Sequence, residues 1–413
     1  MRILVVTQYF WPENFRINDL IAELKQRGHE LTVLTGKPNY PLGEVFPEFR
    51  RAPSLFSNYE GVEIFRVPML RRARGSVRLI LNYLSFVLGG SLWGPWFLRK
   101  REFDVVFIYE PSPVTVALPA ILLGRIKKIP VVFWVLDLWP ETLAAIGVVR
   151  SPRLLRWIGH LVQFSYNNCD IVLGQSRAFI DGIAKYCSDK SKIRYYPSWA
   201  EDVFLDNASE KANEIPVRGR TFDILFAGNI GEAQDMPSIL SAAELLKHDD
   251  GVRWIIVGDG RKSEWLKAEV ERRGLAEKVL LLGRYSVDRM PSFYAHADAL
   301  LVSLMSDAVF SMTIPGKLQT YLMAGVPVLG MLDGEGASAI RQAKAGFTCP
   351  AGDANGLAAA VKQLAAMPES ERRDMGLNGR RYAQREFDRD MLISKLEGFF
   401  EEAILSYRER ETI

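Results

Sequence analysis

Short apolar runs recur along this chain in two successive groups, and that rhythm limits the possible folds more than any other feature. Residues 3–6, 31–35, 105–109, 131–135 and 171–174 are strand-length and mostly apolar, with helix-length amphipathic segments between them. An irregular polar stretch follows at 198–220, and the pattern restarts at 224–227, 254–257, 279–282, 299–302 and 326–330. Polar residues alternate only weakly within these runs, so both faces of each strand are buried, as in a parallel sheet covered by helices on both sides. The expectation is an α/β chain in two halves, residues 1–200 and 201–389, with a last helix over 390–413 that packs back on the first half. A length of 413 residues exceeds what one core usually serves.

Composition then excludes whole classes of function. A net charge of +3 is too small to imply nucleic acid as a partner. Cys169, Cys187 and Cys349 stand far apart, which suits a reducing compartment and no zinc site. No two histidines have ligand spacing, and the Asp388-Arg-Asp390 triplet falls in a charged helix start, so no metal is expected. The first apolar run is too short for a secretion signal, making a cytoplasmic protein the expectation.

Ligands of doubly wound sheets sit beyond the carboxyl ends of the strands, so the loops after each run are where function is sought. Residues 311–336 read as a loop ending in Pro315-Gly316, a short helix stopped by Gly325, a buried strand, and an acidic glycine-rich turn holding Glu335. Lys317 falls in the first turn of that helix, where unpaired N–H groups and the helix dipole already favour an anion. Gly228-Asn229-Ile-Gly231 lets backbone approach a phosphate. Lys262 follows another strand end, as do Arg284 and Tyr285. In the first half, Asp137 ends a strand and is followed by Trp139 and Glu141; the pattern also suits a helix cap with Pro140 in the first turn. Glu13, Asn14 and Arg16 open the helix after the first strand, and Tyr109 ends the third run.

No acidic residue occurs from 64 to 101. Within the membrane-facing segment 71–101, Arg71, Arg72, Arg74 and Arg78 precede an apolar run over 79–98 that carries Trp93 and Trp96, and a basic triplet closes it. Spanning a bilayer would put strands of one sheet on opposite sides, and Gly89-Gly90, Gly94 and Pro95 are expected to break the run. A surface helix or hairpin lying in the lipid interface is the expectation, against the alternative of a core helix with a solvated basic rim.

The ordered set Gln8-Tyr-Phe-Trp-Pro-Glu-Asn-Phe, Arg27-Gly-His-Glu, Asp137-Leu-Trp-Pro-Glu141, Gly228-Asn-Ile-Gly, Gly258-Asp-Gly, Pro315-Gly-Lys-Leu-Gln-Thr-Tyr-Leu and Leu332-Asp-Gly-Glu-Gly resembles the retaining family 4 glycosyltransferases over nearly the whole chain. It is similar in particular to a branch that adds sugars such as N-acetyl-L-fucosamine during bacterial O-antigen, capsule and exopolysaccharide assembly. The resemblance implies a GT-B fold, two Rossmann-like doubly wound domains facing across a cleft. It also implies a UDP-sugar donor and no metal or other cofactor, and an interfacial seat for 71–101 fits an undecaprenyl-diphosphate-linked saccharide acceptor at the anionic inner leaflet. On it, Asp137, Glu141 and Lys317 become catalytic candidates, and Gly228, Asn229, Gly231, Lys262, Arg284, Tyr285, Lys317 and Glu335 donor-binding ones. Glu13, Asn14, Arg16, Tyr109 and Trp139 become acceptor-binding, with Trp139 stacking on a sugar. The chain departs from the family in having Met312 and Thr320 where two glutamates are usual, and in lacking an Arg/Lys pair after the first strand of the second half. Lys317 and Glu335 are therefore expected to take over diphosphate charge and a sugar or ribose hydroxyl. A UDP-N-acetylhexosamine epimerase of the same plan and a non-catalytic partner subunit are the rival expectations.

Overall fold

A computed structural model describes residues 1–40, 43–72, 76–145, 147–200, 210–216, 219 and 221–412. The chain divides into two compact units, Met1–Tyr196 with Ile393–Ile413, and Pro197–Leu392. Much of the polar stretch near 200–220 lies outside the described residues, as does Arg74.

The first unit holds β1 (Arg2–Val6), β2 (Glu30–Thr35), β3 (Asn58–Tyr59), β4 (Val62–Arg66), β5 (Val105–Glu110), β6 (Val131–Val135), β7 (Ile171–Gly174) and β8 (Ile193–Tyr195). They order as β3-β4-β2-β1-β5-β6-β7-β8, parallel throughout except for the short β3–β4 pair. The second unit holds β9 (Phe222–Ala227), β10 (Val252–Val257), β11 (Val279–Gly283), β12 (Ala299–Ser303), β13 (Val328–Met331) and β14 (Gly346–Cys349). These order as β11-β10-β9-β12-β13-β14, all parallel. Strands β5, β6, β9, β10 and β12 are buried along their full length, which is why their sequences are mostly apolar; the buried charges of β9 and β10, Asp223 and Arg253, pair with each other at 2.6 Å. Strand order reverses between β1 and β5 in one sheet and between β9 and β12 in the other. Crevices at such reversals are where doubly wound folds take ligands.

The last helix, Arg389–Glu411, begins in the second unit and ends in the first. Its Ile393, Leu396 and Phe400 are fully buried, Phe400 packs edge-on against Phe107 of β5, and Glu397 pairs with His29 at 2.7 Å and Arg27 at 3.1 Å.

The apolar run at 79–98 is one unbroken helix, Ser76–Phe97, contrary to the expected breaks. Its glycines lie on the inward side, where a Cβ on Gly90 would meet Pro119 and one on Gly94 would meet Leu34 and Leu123. They admit neighbouring elements closely and do not interrupt the backbone. Outward, Leu84 (48 % exposed), Leu88 (63 %), Leu92 (63 %), Trp93 (42 %) and Trp96 (62 %) face solvent, and Arg99 stacks on Trp96 at 4.0 Å. Arg71 and Arg78 are exposed. Arg72 is half-buried: it donates to the Tyr9 hydroxyl at 3.1 Å and lies over the Tyr40 ring, so its charge serves the protein's interior and not a lipid surface. Among the described residues no helix is long and apolar enough to cross a membrane.

Candidate functional site

At the carboxyl edge of the second sheet, three strand ends are brought together through glycine. Gly228 after β9 has φ +134° and donates its N–H to Val257 of β10, and Gly258 after β10 has φ +148° and donates to Gly283 of β11. A Cβ on Gly258 would collide with the Gly228 backbone, so only glycine allows this approach.

The helix Gly316–Ala324 begins beside this edge, with Pro315 before its first turn and Gly325 at φ +73° ending it. Tyr321, fully buried, fixes its position: the hydroxyl accepts from the Ala227 N–H at 2.8 Å and donates to the Ala227 carbonyl at 3.0 Å. One turn earlier, Lys317 is thereby laid over the Phe226 ring, with Nζ 3.7 Å from its centre and 3.0 Å from where a Gly228 Cβ would stand. The side chain as a whole is half-buried, but its Nζ is shielded from solvent and has no hydrogen-bond partner. Burial alone lowers its pKa to about 7. An amine held without a counter-charge at a helix N-terminus and a glycine-opened strand edge is an arrangement that favours an anion.

The other donor candidates are more dispersed. Asn229 and the Gly231 N–H both turn to the Gln234 side chain, at 3.3 and 3.1 Å. Lys262 pairs with Glu232 at 2.8 Å, Arg284 is exposed, and Tyr285 packs on Phe293 with ring centres 4.8 Å apart. Glu335 does not lie in a turn: the acidic glycine-rich segment opens the helix Gly334–Ala343, with Gly334 at φ +66° against the Ser311 backbone and Glu335 half-buried in the first turn. Asp333 before it accepts from the Ala351 N–H at 3.2 Å. Of the two positions where carboxylates are usual, Met312 ends the helix Ala308–Met312 and Thr320 is buried.

At the edge of the first sheet, Glu110 closes β5 with no exposure, and its Oε1 has no partner. Its Oε2 accepts from the Asp137 N–H at 3.4 Å. Burial, and then the neighbouring Asp137 charge, push the Glu110 carboxyl well above the usual range. Burial also raises Asp137, against hydrogen bonds from the Trp139 indole at 3.1 Å and the Ser112 hydroxyl. Gln8, just beyond β1, likewise has a buried Oε1 without a partner. Sequence reasoning put Gln8 and Glu110 in the right loops but singled out neither, since an unpaired atom is visible only once the neighbours are placed.

Several acceptor candidates have structural employment instead. Glu13 is buried and accepts from the N–H groups of Phe10 (3.1 Å), Asn39 (2.7 Å) and Tyr40 (2.7 Å). Burial raises its carboxyl to about 7 even against those donors. Tyr109 is buried under the sheet edge, its hydroxyl accepting from the Ile17 N–H, so it presents nothing to a ligand. Trp139 is 6 % exposed, its ring 6.0 Å from that of Tyr83, and it orients Asp137 with no face free for a sugar. Pro140 precedes the helix Glu141–Ala145, which starts after it. Glu141 accepts from the Tyr186 hydroxyl at 3.2 Å and has a buried Oε2 without a partner. Asn14 is exposed and Arg16 starts the helix Arg16–Gln26. Among the described residues no group of three or more His, Cys, Asp and Glu side chains is arranged to hold a metal ion.

Two family models match, one in each unit. Residues 14–199 match a glycosyl transferase 4-like domain, and residues 221–367 match glycosyl transferases group 1. Between them they take in most of the chain, which belongs to the glycosyltransferases of GT-B fold. The putative colanic acid biosynthesis glycosyl transferase WcaI of Escherichia coli (strain K12) is 22 % identical over 79 % of this chain and 82 % of its own length. The probable glycosyltransferase WbjE of Pseudomonas aeruginosa is 24 % identical over 87 % and 85 %. The crystal structure of Anabaena Alr3699/HepE in complex with UDP superposes with a TM-score of 0.70 at 13 % identity, covering 97 % of this chain and all of that one.

Proposed function

We propose that this glycosyltransferase moves a sugar from a UDP-sugar to a lipid-linked saccharide in bacterial surface polysaccharide assembly, with retention and without a metal. The single observation that carries the donor half is Lys317, an unpartnered buried amine at the carboxyl edge of the second sheet. Departure of UDP concentrates negative charge on its diphosphate, and a fixed cation with helix N–H groups aimed there is the largest stabilising effect available to such a reaction. UDP as the nucleotude is supported by the HepE complex, and a polysaccharide pathway by the name of WcaI. The favoured sugar is an N-acetylated deoxyhexosamine such as N-acetyl-L-fucosamine, on the motif resemblance.

In the first unit, Asp137, held by the Trp139 indole beside Glu110, whose carboxyl burial pushes well above the usual range, orients the acceptor hydroxyl. The exposed apolar stripe of the helix Ser76–Phe97, with Arg78 and Arg99 at its ends, seats the enzyme on the inner membrane leaflet, where a lipid-linked acceptor resides. Steady-state kinetics with a panel of UDP-sugars test the donor assignment. Lys317→Ala lowers turnover and weakens UDP, and Asp137→Asn lowers transfer while leaving UDP affinity unchanged. Activity that survives chelation with EDTA is expected; its loss contradicts metal-free transfer.

A further inference from the structure

The helix Pro152–Asn167 belongs to neither strand edge, yet it carries Trp157, the most exposed large apolar side chain among the described residues at 73 %. Leu154 and Phe164 are 44 % and 42 % exposed, and their spacing with Trp157 sets them along one side of the helix. The helix already buries a different side through Gly159, Val162, Ser165 and Tyr166, so this ridge is not a core face left uncovered.

A basic ridge runs beside it. Arg153 and Arg156 are exposed, as is His160, and the helix holds no acidic residue. Arg156 and His160, with Gln163, Lys185 and Tyr186, line a cavity of about 410 Å³ that no carboxylate lines. The helix Ala117–Lys127, which exposes Ile126, packs against both Pro152–Asn167 and Ser76–Phe97. All three thus cover one face of the first sheet, and together they carry more than half of the exposed large apolar side chains described. A second copy of this face would set cations against cations. The complementary surface is anionic and apolar at once, which is the chemistry of an acidic phospholipid leaflet.

We infer that Pro152–Asn167 is a second membrane foot: the Arg156–His160–Lys185 cavity takes the phosphate of an anionic phospholipid headgroup while Trp157 and Phe164 enter the interface. This rests on the proposal that the first unit meets lipid through Ser76–Phe97, and extends the contact across the whole helical flank.

Flotation of the full chain with vesicles tests it, using phosphatidylcholine alone and phosphatidylcholine with about a third phosphatidylglycerol. Arg156→Ser with Lys185→Ser is expected to weaken partitioning to the anionic vesicles by about fivefold per cation removed. Trp157→Ser with Phe164→Ser is expected to weaken it on both vesicles, by tenfold or more on the apolar area lost. These side chains are exposed, so an unchanged unfolding midpoint and unchanged UDP binding show the variants intact. If the wild type floats and Leu88→Ser with Trp96→Ser abolishes flotation while both Pro152–Asn167 variants float like wild type, the second foot is wrong and the first stands. A wild type that fails to float on anionic vesicles overturns both. Variants that change oligomeric state but not flotation would make the ridge a subunit contact and overturn the lipid assignment.

Discussion

Lys317 is the residue on which most depends. Its amine is lowered from 10.5 to about 7 by burial, so in the free protein the folded state binds that proton less tightly than the unfolded state does. Below about pH 7 the buried charge weighs fully against folding; as pH rises toward 10.5 that penalty is relieved. Stability of the free protein relative to Lys317→Met should therefore increase over that window in chemical denaturation. A diphosphate favours the ammonium, so UDP binding near neutral pH should take up a proton, read as a buffer-dependent heat in calorimetry. Loss of one charge-assisted hydrogen bond is worth about 1.5–3 kcal/mol, or roughly 10- to 100-fold in UDP affinity for Lys317→Ala. Glu13 runs the other way. Its carboxyl is raised from 4.5 to about 7, so its contribution is fullest below pH 4.5 and is lost as pH rises through 7. Glu13→Gln sets an amide NH₂ among backbone N–H donors, costing about 2 kcal/mol in denaturation experiments at low pH, and the gap to wild type should narrow as pH rises. The place of Lys317 in the first turn after Pro315-Gly316 was legible in the sequence; that its amine is buried without a partner was not. Glu13, Tyr109 and Trp139 misled because strand-end position says where a side chain starts and not whether backbone donors or neighbouring rings have already claimed it.

At the level of elements, the apolar runs gave the strands because a parallel sheet buries both faces and leaves no other solution. Helix interruptions were misread for a related reason: Gly90 and Gly94 weaken an isolated helix, but here packing against Pro119, Leu34 and Leu123 decides. The turn after β9 is where an added methyl matters most. Gly228→Ala puts a Cβ 3.0 Å from Lys317 Nζ at a φ of +134°, and is expected to remove UDP stabilisation in thermal unfolding while the strands stay intact. Tyr321→Phe breaks both bonds from the helix Gly316–Ala324 to Ala227, costing about 1–3 kcal/mol for the buried N–H left unpaired. It should also raise the KM for donor, because Lys317 loses its anchor.

For the whole molecule, the two α/β units and their glycosyltransferase membership were readable because the motifs occur in chain order, each at a strand end. The return of a last helix to the first unit, almost two hundred positions on, was readable too, but not which of its side chains, Ile393, Leu396 and Phe400, complete that core. Phe400→Ala should cost about 3–5 kcal/mol in the first unit through the cavity left against Phe107, with UDP binding in the second unit preserved. Around Lys317, the second unit is proposed to hold a nucleotide diphosphate. Titration calorimetry of UDP into wild type and Lys317→Ala at neutral pH tests it most directly. Wild type should bind with net proton uptake, and the variant should bind at least tenfold more weakly without it. Equal affinity and equal proton balance in the two proteins would contradict the account.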